Sequence, residues 1–413
     1  MNEFYDALEA RDPAVREQAQ MQALARQVQH ARSSTTAFAE LLADAPAQVD
    51  SRALLAQLPV TRKHELLARQ QAGRASDPFG GFAAIGWGAA RRVFQSPGTL
   101  YEPEGARPDY WRVARAMHAA GFRAGELLHN SFSYHLTPAG SLMETGAHAI
   151  GCTVFPGGVG NTELQLQAMA ELRPQGYVGT PSFLKILLDK AAESGQDLTL
   201  RKALLSGEAF PPSLRDWMAE RGVSAYQCYA TADIGLVAYE TAAREGLVVD
   251  EGVIVEIVRP GSGEPVAEGE VGELVVTTLN PDYPLIRFGT GDLSAVLPGA
   301  CPSGRTNQRI KGWLGRADQS AKVRGMFVHA TQLGELGRRF PMLGRLRLRV
   351  EGEMAQDRMT LLAEIEGAAP EGLAEQLAQA LRDITKLRGE ISFLAPGSLP
   401  NDGRVIEDAR RYD

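Results

Sequence analysis

The chain has 413 residues, 43 basic against 50 acidic side chains, a formal net charge of −7, and 44% apolar residues. That length accommodates two or three domains with sizeable cores, and an acidic balance with scattered basic residues argues against nucleic acid as the main partner. No apolar run approaches the ~20 residues of a membrane helix. The N-terminus, Met-Asn-Glu-Phe-Tyr-Asp, lacks a basic stretch followed by an apolar core. Cys152, Cys228 and Cys301 are far apart and odd in number, so neither a disulfide framework nor a zinc set is expected, and a cytoplasmic protein with no membrane partner fits.

Residues 13–45 read as one amphipathic helix, with Met21, Leu24, Ala25, Val28 and Ala31 recurring at three- and four-residue steps. Thr61 is a candidate N-cap for a second helix, with Glu65 in its first turns. Ser96-Pro97-Gly98-Thr99 reads locally as a turn, followed by Tyr101 and Glu102. A helix is expected over Tyr110 to Ala120, with Gly121 as its C-cap. Ser131-Phe-Ser-Tyr134-His135 leaves a strand, and aromatic and small residues there suit a pocket for a flat apolar acid. A lone His135 fits a structural role as readily. Residues 147–155 read as a helix end feeding a buried strand, and Asn161 reads as the N-cap of the next helix.

A βαβ rhythm follows. Tyr177 to Ser182, Ala203 to Phe210 and Ser224 to Asp233 each read as a strand and its exit turn, with a helix expected after each. That pattern argues for a parallel sheet with ligands at the C-terminal strand ends. Residues 247–314 alternate in the manner of a small β-subdomain. Within them Tyr283-Pro-Leu-Ile-Arg-Phe-Gly-Thr-Gly-Asp292 ends a strand in a polar turn. The Asp after Gly-Thr-Gly could accept two hydrogen bonds from vicinal hydroxyls, although the local residues also fit a charged β-turn. Beyond Gly315-Arg316-Ala317-Asp318 the pattern changes to strands over 345–350 and 359–365, a helix over 372–387 and a strand over 390–394. This is an α+β unit of roughly 95 residues, of domain size.

The order of these motifs resembles the adenylate-forming acyl-CoA ligases, and within them the phenylacetate–CoA ligase family. The segments that carry it are Leu58-Pro-Val-Thr-Arg-Lys-His-Glu-Leu66, the turn at 96–103, Ser206-Gly207-Glu208, Tyr229-Ala230-Thr231-Ala232-Asp233, Pro284-Leu-Ile-Arg-Phe288 with Thr290-Gly-Asp292, Cys301-Pro-Ser-Gly-Arg-Thr306 and Gly315-Arg-Ala-Asp318 with Lys322 behind it. The resemblance implies an α/β adenylate-forming ligase fold. Residues 1–316 would form a large N-terminal body with its β-subdomain, and residues 317–413 a small α+β C-terminal lid.

It also implies roles. Ser96, Gly98 and Thr99 stand at the ATP phosphate loop. Ser206, Gly207 and Glu208 line adenine, Tyr229, Ala230 and Thr231 the adenine and α-phosphate, and Asp292 and Arg316 the nucleotide. Asp233 would hold Mg²⁺, Asp318 is the hinge, and Tyr134, His135 and Ala209 line the acid pocket. Arg404 and Lys322 are the candidate catalytic cations, because Arg404 follows Gly403 where the family has Lys. Among the departures from the pattern, which include Ala230 for Gly and Asp233 for Glu, four residues bear most on adenylation. Tyr101 and Glu102 replace Gly and Lys in the phosphate loop, Ala232 replaces a hydroxyl residue, and Arg404 replaces Lys. Glu102 would repel phosphate unless a magnesium ion or an arginine neutralised it, and Arg91 and Arg92 just upstream fit that role or a solvated surface equally. Ser303 replaces a Cys in the turn after Cys301, so no metal is expected there.

The expected function is therefore ATP- and Mg²⁺-dependent activation of a carboxylic acid, aromatic by its pocket, as acyl-AMP, then transfer to CoA or another thiol. The alternative is a member deficient in adenylation that binds nucleotide, acyl-adenylate or aromatic acid as an accessory or acyl-transfer protein. The expected partners are the small-molecule acid, the nucleotide and CoA. No self-complementary patch is readable, and a homodimer is carried as an expectation.

Overall fold

The computed structural model describes residues 3–96, 99–317, 320–324, 326–352, 357–400 and 404–410. The chain divides into two compact units, Met1–Gly315 and Arg316–Asp413.

The first unit begins with α1 (Pro13–Ser34), whose N-terminus is capped by the Asp12 carboxylate. The single helix expected over 13–45 is two. Thr35 closes α1 by donating its hydroxyl to the Ala31 carbonyl, and the same oxygen accepts the Phe38 N–H to open α2 (Thr36–Leu41). A run of Ser and Thr offers the backbone such alternatives to continuous helix. A short α3 (Arg52–Leu55) precedes β1 (Thr61–Arg62), which pairs in parallel with a strand beginning at Phe288. Thr61 is thus a strand residue and does not cap. The cap of α4 (Lys63–Gly73) falls one residue later, with Glu65 accepting the Arg62 N–H.

β2 (Ala90–Ser96) and β3 (Leu100–Gly105) form an antiparallel hairpin. α5 (Ala114–Ala119) starts four residues later than the spacing predicts, because Asp109 and Arg112 adopt φ of +47° and +66°. The Asp109 carboxylate then caps Ala114 at 3.2 Å. Burial pushes that carboxyl up to about 7. A carboxyl raised on folding contributes stability that is lost as pH rises from its unfolded range near 4 through 7. Asp109→Asn should therefore flatten the fall in melting temperature between pH 5 and 8, and an unchanged pH slope would contradict this.

The large sheet takes β4 (Leu127–Asn130), β5 (Thr153–Pro156), β6 (Gly176–Gly179), β7 (Lys202–Leu205) and β8 (Ser224–Thr231), all parallel. They are joined by α6 (Ala139–Ala149), α7 (Thr162–Leu172), α8 (Pro181–Glu193) and α9 (Pro212–Glu220). β5 is an edge strand and half-exposed, where a buried strand was expected. Thr180 caps α8 as its Thr-Pro start suggests. Asn161 stands at the start of α7 in a left-handed conformation without a side-chain cap, so its value is its tolerance of positive φ.

β8 is followed by a turn into the antiparallel β9 (Gly235–Glu240), where a helix was expected. Gly235 at φ +82° and Thr231, whose hydroxyl accepts the Ile234 N–H at 3.2 Å, close that turn. β10 (Leu247–Val249) extends the same sheet, while β11 (Val253–Val258), β12 (Gly272–Thr278) and β13 (Phe288–Ser294) make a second sheet ordered β1-β13-β12-β11. β14 (Val296–Leu297) and β15 (Arg309–Ile310) return to the first sheet, giving β14-β15-β10-β9-β8-β7-β6-β4-β5. The stretch 247–314 is therefore shared between two sheets.

One core packs α1, α2 and the second sheet through Leu24, Val28, Phe38, Val255 and Phe288. Another packs α5 and α6 on the parallel strands through Met117, Phe122, Leu142 and Val178. Phe122 lies where a Cβ on Gly176 would come within 2.3 Å of its ring. Gly176→Ala should cost about 1–3 kcal/mol by overpacking, read as a shift in the urea midpoint.

The two-residue β16 (Gly315–Arg316) stands at the boundary of the units. In the second unit a hairpin, β17 (Ser320–Val323) with β18 (Met326–His329), leads into α10 (Ala330–Arg339). β19 (Leu343–Glu351), β20 (Arg358–Ile365), β21 (Glu390–Leu394) and β22 (Ile406–Asp408) form a sheet ordered β21-β20-β19-β22. α11 (Leu373–Thr385) buries Leu373, Leu377, Ala380 and Leu381 as one stripe. The two strands, helix and strand expected here are present. The first hairpin, α10 and β22 were not foreseen.

Candidate nucleotide site

The C-terminal ends of β6, β7 and β8 face one end of the parallel sheet, where turns rather than strands carry the polar groups. After β7 the Ser206 hydroxyl donates to the Cys228 carbonyl of β8 at 2.9 Å, tying the two exits together. Gly207 takes φ +84°. Glu208 is exposed, and its carboxylate accepts the Ser182 N–H at 3.3 Å, at the start of α8. Ala209 follows, half-buried.

At the end of β8 the Tyr229 hydroxyl donates to Asp292 Oδ2 at 2.6 Å, and Trp313 Nε1 donates to Asp292 Oδ1 at 3.1 Å. The chain thus brings together two motif residues 63 positions apart. These three side chains line a small cleft with Leu274, Ser294 and Gly312. Ala230 and Thr231 are half-buried beside Tyr229, and the Thr231 hydroxyl serves the turn.

Asp233 lies in that turn and is buried. Its Oδ2 accepts from Lys63 Nζ at 3.0 Å, and the same ammonium lies 3.4 Å from Ser96 Oγ. Ser96 is buried and donates to Glu102 Oε1 at 2.6 Å. Glu102 is fully buried within β3. The repulsion expected of Glu102 is therefore not how this residue acts, because its carboxyl is turned inward. Burial, then the neighbouring Asp233 charge, pushes that carboxyl well above the usual range. Glu102 Oε2 and Asp233 Oδ1 meet no donor except the proton that their mutual side-chain hydrogen bond shares, and the Tyr283 hydroxyl is buried without a partner among the described residues. Charged Glu102 and Asp233 both raise Tyr283, after burial itself.

Thr99 takes φ +64° at the hairpin turn and its carbonyl accepts from Arg74. Gly98 and Asp318 lie outside the described residues. In the acid-pocket stretch the Tyr134 hydroxyl accepts from Asn130 Nδ2 at 2.8 Å, and Gly140 leaves no room for a Cβ beside the Tyr134 ring. His135 is exposed and its backbone N–H bonds the Ser133 hydroxyl. In the second unit, Lys322 stands on β17 opposite Phe327, and the Arg404 carbonyl accepts from Arg347 at 3.1 Å. Arg316 is half-buried.

Among the described residues no group of three or more His, Cys, Asp or Glu side chains is gathered to hold a metal. A Mg²⁺ that arrives on phosphate oxygens needs one carboxylate from the protein, and Asp233 Oδ1, which takes no bond from a described cation, would supply it. No described helix is long and apolar enough to cross a membrane.

Lys63 and Trp313 were missed by sequence reasoning. A signal for Lys63 existed. A cation at the first residue of a helix opposes the helix dipole, so its presence implies an acidic partner from elsewhere in the chain.

Comparison with known proteins places the chain in a family. Residues 133–280 match the family of AMP-binding enzymes. A crystal structure of 2-hydroxyisobutyryl-CoA ligase, solved with 2-HIB-AMP and CoA, superposes with a TM-score of 0.83 at 23% identity, covering 100% of this chain and 93% of that one. The fold is that of the adenylate-forming ligases. The phenylacetate-coenzyme A ligase of Thermus thermophilus is 31% identical over 382 residues, 84% of each chain. That of Aromatoleum evansii is 32% identical over 353 residues, covering 81% of this chain and 78% of its own. The chain belongs to the phenylacetate–CoA ligase family of adenylate-forming enzymes.

Proposed function

We propose that the protein activates a carboxylic acid with ATP as acyl-AMP and then transfers the acyl group to CoA. The observation that carries this is the 2.6 Å bond between Tyr229 and Asp292 at the strand ends, in a chain whose relatives are named for such a ligation. The acid carboxylate attacks the α-phosphorus, the bond to pyrophosphate breaks, and the mixed anhydride forms. The CoA thiolate then attacks the acyl carbon and AMP leaves. Such steps depend on positioning and on neutralising developing charge.

In this reading Asp292 receives the ribose hydroxyls, and Tyr229 packs on adenine. Ser206, Gly207 and Glu208 line the base, and Ala230 and Thr231 lie beside the α-phosphate. Ser96, Gly98 and Thr99 form the phosphate turn, and Arg316 serves the nucleotide. Mg²⁺, supplied with ATP, would be held by Asp233 and would neutralise phosphate charge. Tyr134, His135 and Ala209 are the proposed acid contacts, an aromatic acid being the class they suit. Arg404 and Lys322 are the proposed catalytic cations, Asp318 the proposed hinge, and residues 317–413 the proposed lid. A homodimer is checked by light scattering, and the cytoplasm is the proposed compartment.

The test is ATP–pyrophosphate exchange with Mg²⁺ against a panel of aryl and alkyl acids. Exchange with one acid, followed by its thioester when CoA is added, is the expected result. No exchange with any acid, while calorimetry still detects AMP binding, would favour the accessory or acyl-transfer reading that the altered positions 101, 102, 232 and 404 suggest.

A further inference from the structure

The position at which the family carries a loop lysine is Glu102, and its carboxyl is fully buried against Ser96. The hairpin itself therefore presents no cation from that position. The ammonium nearest to it comes from another element. Lys63, the first residue of α4, reaches across to lie 3.0 Å from Asp233 and 3.4 Å from the Ser96 hydroxyl. Its side chain is 42% exposed, whereas that of Asp233 is 4% exposed, so the ammonium is the part of the pair that faces outward. Two arginines near the site are engaged elsewhere: Arg92 with Glu104 at 2.7 Å, and Arg62 with Glu273. The α4 N-terminus adds backbone N–H groups at the same place.

Building on the proposed nucleotide site, we infer that Lys63 binds the β- and γ-phosphates of ATP, and that Asp233 and Ser96 are the groups against which it is held beforehand. The cation has moved from the hairpin to the helix. A nucleotide with terminal phosphates draws Lys63 Nζ away from Asp233 Oδ2 and onto phosphate oxygens, which would leave the Asp233 carboxylate to hold the Mg²⁺ that ATP brings. AMP, which lacks those phosphates, leaves the Lys63–Asp233 pair in place. The site thus distinguishes triphosphate from monophosphate by one side chain.

The test is calorimetric titration of ATP with Mg²⁺, and separately of AMP, into the intact protein and its Lys63→Met, Lys63→Arg and Arg74→Ala variants. Lys63→Met should weaken ATP by roughly 10- to 100-fold, as expected for lost charge-assisted bonds, and AMP by less than about 3-fold. Lys63→Arg should keep most of the ATP affinity. Arg74→Ala removes a guanidinium that, among the described residues, bonds the Thr99 carbonyl and lies over the Tyr101 ring, and should leave both affinities unchanged. Equal losses of ATP and AMP in Lys63→Met would mark a structural ion pair and overturn the inference. So would undiminished ATP binding, or a loss in Arg74→Ala as large as that in Lys63→Met. Failure of the unaltered protein to bind either nucleotide would instead overturn the nucleotide-site reading on which the inference rests.

Discussion

Asp292→Ala is expected to lower nucleotide affinity by roughly 10²-fold or more while the fold survives. The carboxylate is half-buried and its two oxygens already receive the Tyr229 hydroxyl and the Trp313 indole N–H. An ionised carboxylate that also receives ribose hydroxyls makes charged hydrogen bonds worth about 1.5–3 kcal/mol each, and two of them give a loss of this size. The cost to the fold is smaller, about 1–3 kcal/mol, because the hydroxyl and indole lose an acceptor near solvent. Tyr229→Phe separates the two effects. It removes the hydroxyl's bond to Asp292 and keeps the ring, so it should cost AMP affinity less than Asp292→Ala does. Calorimetry with AMP reads both variants. Undiminished AMP binding by Asp292→Ala would refute the ribose assignment.

Arg287→Ala is expected to be the most damaging single change to stability, by about 3–5 kcal/mol. Arg287 is 1% exposed and takes φ +45°. Its guanidinium donates to Glu256 at 3.0 Å, to the Ala56 and Leu58 carbonyls, and to the Gly263 carbonyl at 2.7 Å. One side chain thereby holds β11, the segment after α3 and the turn before β12. Removing it strands Glu256, whose carboxyl is already pushed up by burial and drawn back down by Arg287. The sign of the pH dependence follows. A carboxyl raised on folding stabilises at low pH and loses that contribution as pH rises through its folded value. The variant's deficit should therefore shrink on acidification, because neutral Glu256 needs no cation. Urea titrations at pH 5 and pH 8 check it. A deficit equal at both values would show that backbone contacts, rather than the ion pair, dominate.

The same residue shows how a motif can be legible and still be misjudged. Pro284 to Asp292 stands out in the sequence as a polar turn, yet only its last residue reaches the cleft. Arg287 points into the second sheet and is structural. Strand periodicity separated the α+β unit at the C-terminus because β19, β20, α11 and β21 are local patterns with clear apolar stripes. Periodicity failed where a hydroxyl redirected the backbone, at Thr35, or where positive φ delayed a helix, at Asp109 and Arg112. It also failed after β8, because the Thr231–Gly235 turn is set by one hydroxyl and one glycine rather than by any repeating signal. The site was readable as a set of turns. Which groups those turns present was not, since the approach of Lys63 to Ser96 and Asp233 depends on pairings across 33 and 170 residues.

The β8–β9 hairpin has a wider effect. Tyr229 stands two residues before the end of β8 and Asp233 lies in the turn that follows, and that turn is seated on Trp111, whose carbonyl receives the Leu236 N–H at 3.0 Å and leaves no room for a Cβ at Gly235. Adenosine and pyrophosphate, two fragments of ATP that leave out its α-phosphate, would each engage residues of this one turn. Their binding free energies should then be non-additive: prior occupancy by one fragment prepays the ordering that the other requires. Titrating pyrophosphate with and without saturating adenosine would expose that cooperativity, which no measurement on intact ATP can reveal.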